Sequence, residues 1–230
     1  MRVILLGATG LLGSELMATA PAGYSVAGFS KAQVDIQDGE SVSRQIAELR
    51  PDIIVNAAAY TAVDRAEREV ALAHAVNDVA VGALGRAARH HGASVVHFST
   101  DYVFDGTAAT DYAEDATTSP INVYGKSKLA GEQALRASGA DSLVIRTQWL
   151  FGTGGRSLPR TMWERAQAHL ESRVVSDQIG RPSYAPDIAK ATWQCIGIRA
   201  RGTLHLANSS SASWYELATR RVDSSGQFVP

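Results

Sequence analysis

VILLGATGLLG, residues 3–13, decides the fold. Four apolar residues, Val3 to Leu6, form a β-type run that ends at a glycine, and Gly7, Gly10 and Gly13 then recur at every third place before a helical pattern. Gly7 permits a tight turn out of the strand. Gly10 lets the backbone approach a pyrophosphate, and Gly13 lets the following helix pack close to the strand. The helix start then offers unpaired N–H groups and a positive dipole end to the anion. Incidental glycines at a strand–turn–helix junction are the structural alternative. The N-terminal position, the spacing and the pattern that follows favour the anion cradle.

Working outward, strand and helix signals alternate. Strands are expected at Val3–Leu6, Tyr24–Gly28, Ile53–Val55, Ser94–Phe98 and Ser142–Ile145. Helices are expected at Ser14–Thr19, Asp38–Leu49, Val70–His91 and Asn122–Ala137. Pro51 ends the second helix, since proline disfavours helix in the residue before it, and Gly92 closes the third. The strands are nearly all apolar, as when helices cover both faces. The class is α/β: a Rossmann-type doubly wound parallel sheet over residues 1–150, with ligand beyond the carboxyl ends of the strands. From Trp149 the pattern changes. FGTGGRS (151–157) leads to a helix at Leu158–Leu170, a short strand at Val174–Val175, the turn DQIGRP (177–182), a helix at Asp187–Ile198, a strand at Thr203–Leu206 and a helix from Trp214. Residues 151–230 read as a smaller substrate lobe, partly returning to the main sheet.

Composition narrows the function. With 45% apolar and 20% charged residues in 230, the chain reads as a soluble globular protein able to bury a sizeable core. A formal net charge of -1 gives no field for nucleic acid or an acidic membrane surface, and no stretch is long enough to span a bilayer. Any anionic ligand must be held locally. The apolar N-terminus runs straight into the glycine turn, so it reads as a strand and not as a signal peptide. Cys195 is the single cysteine, which rules out an internal disulfide and fits a reducing, cytoplasmic location. None of His74, His90, His91, His97, His169 and His205 has metal-ligand spacing, so no metal is expected, and His97 reads as a core residue of its strand. Asp64, Glu67 and Glu69 read as a solvated helix face.

Chemistry concentrates after the strands. The second strand exits through Gly28-Phe29-Ser30-Lys31, with no acid to take a ribose 2′-hydroxyl, while Ser30 and Lys31 suit a 2′-phosphate. NADPH is therefore expected, with NADH possible, and Asp35 in VDIQD lies near enough to reach the adenosine side. After the third strand, Ala57, Ala58, Ala59, Tyr60 and Thr61 are candidate walls of the cofactor channel, or simply close packing. VYGKSKLAGE (123–132) sets Tyr124 and Lys128 four apart on one helix face, with Lys126 pointing elsewhere. An ammonium beside a phenol lowers its pKa, and a tuned tyrosine gives its proton to a carbonyl oxygen as hydride arrives. STDYVFDG (99–106) leaves the fourth strand, where the Thr100 hydroxyl offers a second hydrogen bond to the developing alkoxide. Turn capping is the structural alternative for Ser99 and Thr100.

These stretches, with RPDIIVNAAAYTAVDRAE (50–67), SPINVYGKSKLAGE (119–132), IRTQWLFG (145–152), VVSDQIGRPSYAPDIA (174–189) and SASWYELA (211–218), resemble the dTDP-4-dehydrorhamnose reductases of the extended short-chain dehydrogenases over residues 1 to about 218. The resemblance implies reduction of dTDP-4-dehydro-L-rhamnose to dTDP-L-rhamnose with NADPH or NADH. It makes Tyr124 the proton donor and Lys128 its partner. It places Thr100, Asp101 and Trp149 on the sugar, and Gly10, Leu11, Leu12, Asp35, Ile36, Ala59, Tyr60, Thr61 and Phe98 on the cofactor. A homodimer is compatible with it. Ser157-Leu158 replaces an Asn-Phe pair usual in the family, and the ending RRVDSSGQFVP matches nothing familiar, so part of the nucleotide-closing lobe is expected to be missing. Glu15 matches one acidic position around which some members dimerise on magnesium, but the later positions are replaced. Two other readings stand beside this one. One is a non-catalytic NADP-binding regulatory subunit resembling the β subunit of methionine adenosyltransferase. The other is a 4-ketoreductase for a different dTDP-deoxysugar.

Overall fold

The structure, a computed structural model, describes residues 1–155 and 157–219; Arg156 of the FGTGGRS stretch and the ending RRVDSSGQFVP lie outside the described residues. Six parallel strands form the central sheet in the order β2-β1-β3-β4-β5-β9. They are β1 (Arg2–Leu6), β2 (Ser25–Phe29), β3 (Ile53–Asn56), β4 (Ser94–Thr100), β5 (Ser142–Thr147) and β9 (Gly202–His205). Helices α2 (Gly39–Leu49), α5 (Ala80–His91) and α6 (Val123–Ala137) bury Ile46, Leu84 and Leu135 against Ile4, Ile54 and Val144 on one face. On the other, α1 (Leu11–Ala18) and α8 (Ala185–Gly197) bury Leu16, Ile188 and Trp193 against Leu5, Val55 and Ile145. Both faces of every central strand are thus dry, which explains the near-continuous apolar runs. The chain leaves β1 for β2 on one side and returns to β3 on the other. That strand-order reversal opens a crevice at the carboxyl ends of β1 and β3.

Several boundaries differ from the sequence expectation. Helix α1 starts at Leu11, directly after Gly10, three residues before Ser14. The expected helix 70–91 is divided into α4 (Val70–His74), a π-helical turn at Ala75–Val79 and α5; the short α3 (Val63–Ala66) precedes it. Arg50, with φ +44, closes α2 in the left-handed region just before Pro51, and Gly92 at φ +71 closes α5. The strand expected at Val174–Val175 does not form; Val175 keeps one ladder-like bond, its carbonyl accepting from the Tyr215 N–H. Beyond β5 the small pairs are β6 (Leu150–Phe151) with β8 (Ser183–Tyr184), and β7 (Ile179–Gly180) with β10 (Ala212–Ser213). Helices α7 (Leu158–Gln167) and α9 (Trp214–Thr219) accompany them. Among the described residues no helix is long and apolar enough to cross a membrane, and no group of three or more potential metal ligands is gathered.

Candidate active site

The turn after β1 is built around absent side chains. Gly7 has φ +79, and a Cβ there would lie 2.7 Å from the Ala58 nitrogen. The turn and the exit of β3 therefore touch backbone to backbone across the strand-order reversal. A Cβ on Gly13 would overlap the Gly7 carbonyl, so α1 abuts the turn as the spacing requires. Gly10 caps α1 with no side-chain acceptor, and its first turn carries no acid, so the N–H groups of that turn, which lack intrahelical partners, suit an anion. This cradle fits the pyrophosphate of a dinucleotide.

The adenosine side follows. Ser30, just past β2, gives both its N–H and its hydroxyl to Gln33 Oε1, at 2.9 and 2.8 Å. Lys31 is exposed and pairs at 3.7 Å with Asp35. The Gln37 N–H and the Lys31 ammonium hold the Asp35 carboxyl below its ordinary range despite partial burial. Ile36 is buried in the core beneath. Past β3, Ala58, Ala59, Tyr60 and Thr61 line the neighbouring exit. The Tyr60 hydroxyl donates to Glu69 at 2.7 Å, and Glu69 also receives Arg65; Glu67 accepts the Val123 N–H at the start of α6. Two of the three acids read as a solvated face are therefore fastening the wall and the catalytic helix.

Asn77 holds these parts together, and sequence reasoning missed it. Only 1% exposed, its side chain accepts from the Tyr60 N–H and donates to the Tyr60 carbonyl, both at 2.9 Å, and donates to Ser127 Oγ at 3.0 Å. Ser127 in turn donates to the Tyr124 carbonyl. The π-turn makes this reach possible: it pushes the Asn77 carbonyl onto Gly131, where no Cβ fits. The one legible signal was Gly131 inside a helix.

Helix α6 starts with Asn122 accepting the Gly125 N–H and buries Tyr124, Ser127, Lys128 and Glu132 on one face, leaving Lys126 exposed. Lys128 Nζ donates to the Phe98 carbonyl at 2.6 Å and meets His97 Nε2 at 3.4 Å. His97, wholly buried and bonded to Asn56, is held neutral, as befits a core residue. Burial lowers the Lys128 pKa to about 8, opposed by the Glu132 charge. Burial also pushes the Tyr124 phenol above its ordinary value, with the Thr100 hydroxyl interaction working the other way. Desolvation thus outweighs the depression of the phenol expected from Lys128. Thr100 Oγ1 accepts the Tyr102 N–H and donates to Asp101 Oδ1 at 3.0 Å. It caps the turn, and its hydroxyl also lies within reach of the Tyr124 phenol. Burial raises the Asp101 carboxyl to about 6. Thr147, paired in register with Thr100, is 8% exposed and its hydroxyl has no partner among the described residues; sequence reasoning passed it over.

Trp149 ends this wall. Its φ of +46 lies in the left-handed region, rare for a bulky side chain and costing about 1–3 kcal/mol. Its ring stacks on Trp214, centroids 3.5 Å apart and planes at 14°.

Most residues expected at the site fall at or just beyond the carboxyl ends of β1 to β5; Tyr124 and Lys128 stand on α6, Ile36 lies in the core past β2, and Phe98 has its ring in the core while its carbonyl takes Lys128. A doubly wound sheet with a glycine cradle on β1 and a Tyr–Lys pair on the helix after β4 defines an oxidoreductase of the Rossmann type. The RmlD substrate binding domain family matches residues 1–228. A dTDP-4-dehydrorhamnose reductase of Escherichia coli (strain K12) is 40% identical over 228 residues, covering 95% of this chain and 76% of that protein. A probable dTDP-4,6-dihydroxy-2-methyloxan-3-one 4-ketoreductase of Streptomyces antibioticus is 43% identical over 223 residues, covering 95% and 75%. The crystal structure of dTDP-4-dehydrorhamnose reductase from Bacillus anthracis in complex with NADP superposes with a TM-score of 0.91 at 38% identity, covering 94% of this chain and 78% of that one. The chain belongs to the dTDP-4-dehydrorhamnose reductase family.

Proposed function

We propose that this chain reduces the 4-keto group of dTDP-4-dehydro-L-rhamnose to give dTDP-L-rhamnose, using NADPH. The observation that carries the reading is the gathering of Thr100, Tyr124 and Lys128, all buried, at the carboxyl end of β4, with Lys128 on the Phe98 carbonyl and the Thr100 hydroxyl within reach of the Tyr124 phenol, at the same end of the sheet as the glycine turn. The bound dihydronicotinamide supplies the hydride. Tyr124 gives its phenolic proton to the carbonyl oxygen as negative charge develops there, and Thr100 steadies that oxygen. Lys128 holds the nicotinamide ribose. Its own low proton affinity leaves it responsive to charge arriving in the site. Asp101 and Trp149 contact the sugar. Ser30 and Lys31 receive the 2′-phosphate. The relative crystallised with NADP supports the phosphate-bearing cofactor.

The test is consumption of reduced nicotinamide, followed by its absorbance, with dTDP-4-dehydrorhamnose and each cofactor in turn. Turnover of NADPH with formation of dTDP-rhamnose is expected; absence of turnover with both cofactors overturns the reading. The 43% identity to a 4-ketoreductase of another dTDP-sugar supports a second reading, in which the reaction is the same and the sugar differs. A panel of dTDP-4-keto sugars separates the two.

A further inference from the structure

Trp149 is an unusual place to find tryptophan. A left-handed backbone favours glycine or asparagine, and here it carries the largest side chain at the point where the chain leaves β5 for β6. Something outside the local sequence must hold it. Three contacts do. The Trp149 ring lies flat on Trp214, the first residue of α9. Its other support is Gly180 of β7: a Cβ there would lie 2.5 and 2.7 Å from the indole and 2.8 Å from Gln148 Oε1, so the ring rests on bare backbone. The neighbouring main chain is pinned as well, with the Ser183 N–H donating to the Trp149 carbonyl at 3.1 Å and the Arg181 N–H to Gln148 Oε1 at 3.1 Å. Gly180 and Trp214 belong to one unit, because β7 pairs with β10 in the register Ala212↔Gly180, and Trp214 follows directly. Arg181 fastens the same unit to Asp111 and the Ser209 carbonyl.

We propose that Trp214, seated with Gly180, is a positioning residue for the reduction: it clamps Trp149 in its strained conformation and so fixes one wall of the sugar pocket. This rests on the reading of Trp149 as a sugar contact. Trp214 need not touch the sugar. It acts by denying Trp149 its relaxed backbone, so that binding energy is not spent on reordering an indole. The turn DQIGRP thereby acquires a reason for its glycine, and the stretch SWYE a reason for its tryptophan.

The experiment uses the full chain, NADPH and dTDP-4-dehydrorhamnose. Trp214→Ala is expected to raise the sugar KM about tenfold or more with kcat changed less, to leave the dissociation constant for NADPH unchanged, and to abolish the exciton couplet that two stacked indoles give in circular dichroism. Trp214→Phe should restore most of the KM while still lacking the couplet. Gly180→Ala should raise KM with both tryptophans present and disturb the couplet. A wild-type KM in Trp214→Ala, with the couplet lost, overturns the proposal. So does an equal loss of NADPH binding, which marks a general structural role. Trp149→Ala separates the two levels. If it leaves KM unchanged, the sugar-contact reading fails; if it raises KM while Trp214→Ala does not, only the clamp fails.

Discussion

Glu132 and Lys128 sit one turn apart on the same buried face of α6, 0% and 2% exposed, and the chain treats them oppositely. Glu132 receives Arg146 through two bonds, at 2.9 and 2.8 Å, and Arg136 at 3.0 Å. Burial alone pushes its carboxyl up, yet the arginines prevail and its pKa ends below the ordinary value. Lys128 gets a carbonyl and a neutral imidazole and, among the described residues, no carboxylate bond, and burial lowers its pKa to about 8. Asp101, just past β4, is part-buried with the Thr100 hydroxyl as its side-chain partner, and desolvation raises it to about 6. Desolvation acts on all three. What differs is whether the counter-charge is supplied. A fully paired buried charge is architecture; an under-paired one is reserved for a ligand that brings charge with it.

The contrast can be broken at each point. The largest effect is expected for Glu132→Gln, which strands Arg146 in the core and should cost about 3–5 kcal/mol in denaturant unfolding. A loss under 1 kcal/mol would show that the cluster is not structural. Next, Tyr124→Phe should cut turnover by roughly 100-fold or more while NADPH still binds by calorimetry, the usual scale for a lost general acid. Equal activity would remove the assigned role.

Lys128→Met should abolish turnover yet stabilise the protein by about 1–2 kcal/mol at pH 7. The sign follows from a folded pKa of about 8 against 10.5 unfolded: the stability available above 10.5 is lost as pH falls through 8. The gain should therefore shrink as melting is measured toward pH 10. Asp101→Asn should behave as the mirror image. Its folded pKa of about 6 exceeds the unfolded 3.8, so stability present below 3.8 is lost as pH rises through 6. The mutant should be more stable by about 1–2 kcal/mol at pH 8 and indistinguishable near pH 4. Melting curves across pH that stay parallel would refute both. The smallest effect is at the exposed Lys31: Lys31→Ala should reduce the preference for NADPH over NADH only a few-fold, measured by titrating both.

Much of this arrangement was legible because it is periodic or local. The apolar runs Val3–Leu6 and Ile53–Val55, the glycine spacing, Pro51 behind a helix end and the four-residue step from Tyr124 to Lys128 each act through neighbours in sequence. What escaped depends on partners far along the chain. The π-turn at Asn77 exists because the helix meets Gly131 and Tyr60, so a continuous helical pattern at 70–91 gave no warning. Val174 and Val175 have the composition of a strand but no ladder to join, since β7 takes β10 instead. Glu67 and Glu69 resemble surface charge until the donors they accept from, the Val123 N–H at the start of α6 and the Tyr60 hydroxyl, are located. The direction of the Tyr124 shift has a related cause: spacing puts a phenol and an ammonium on one face, but only the packed interior sets how dry that face is.

The amide of Asn77 has a wider implication. By holding both backbone groups of Tyr60 and, through Ser127, the first turn of α6, it fixes the width of the cleft much as a spacer fixes the gap between two plates. Neither plate can drift without the other. Variation in the size of the molecule admitted must then arise from residues projecting into the gap, while the gap itself stays constant.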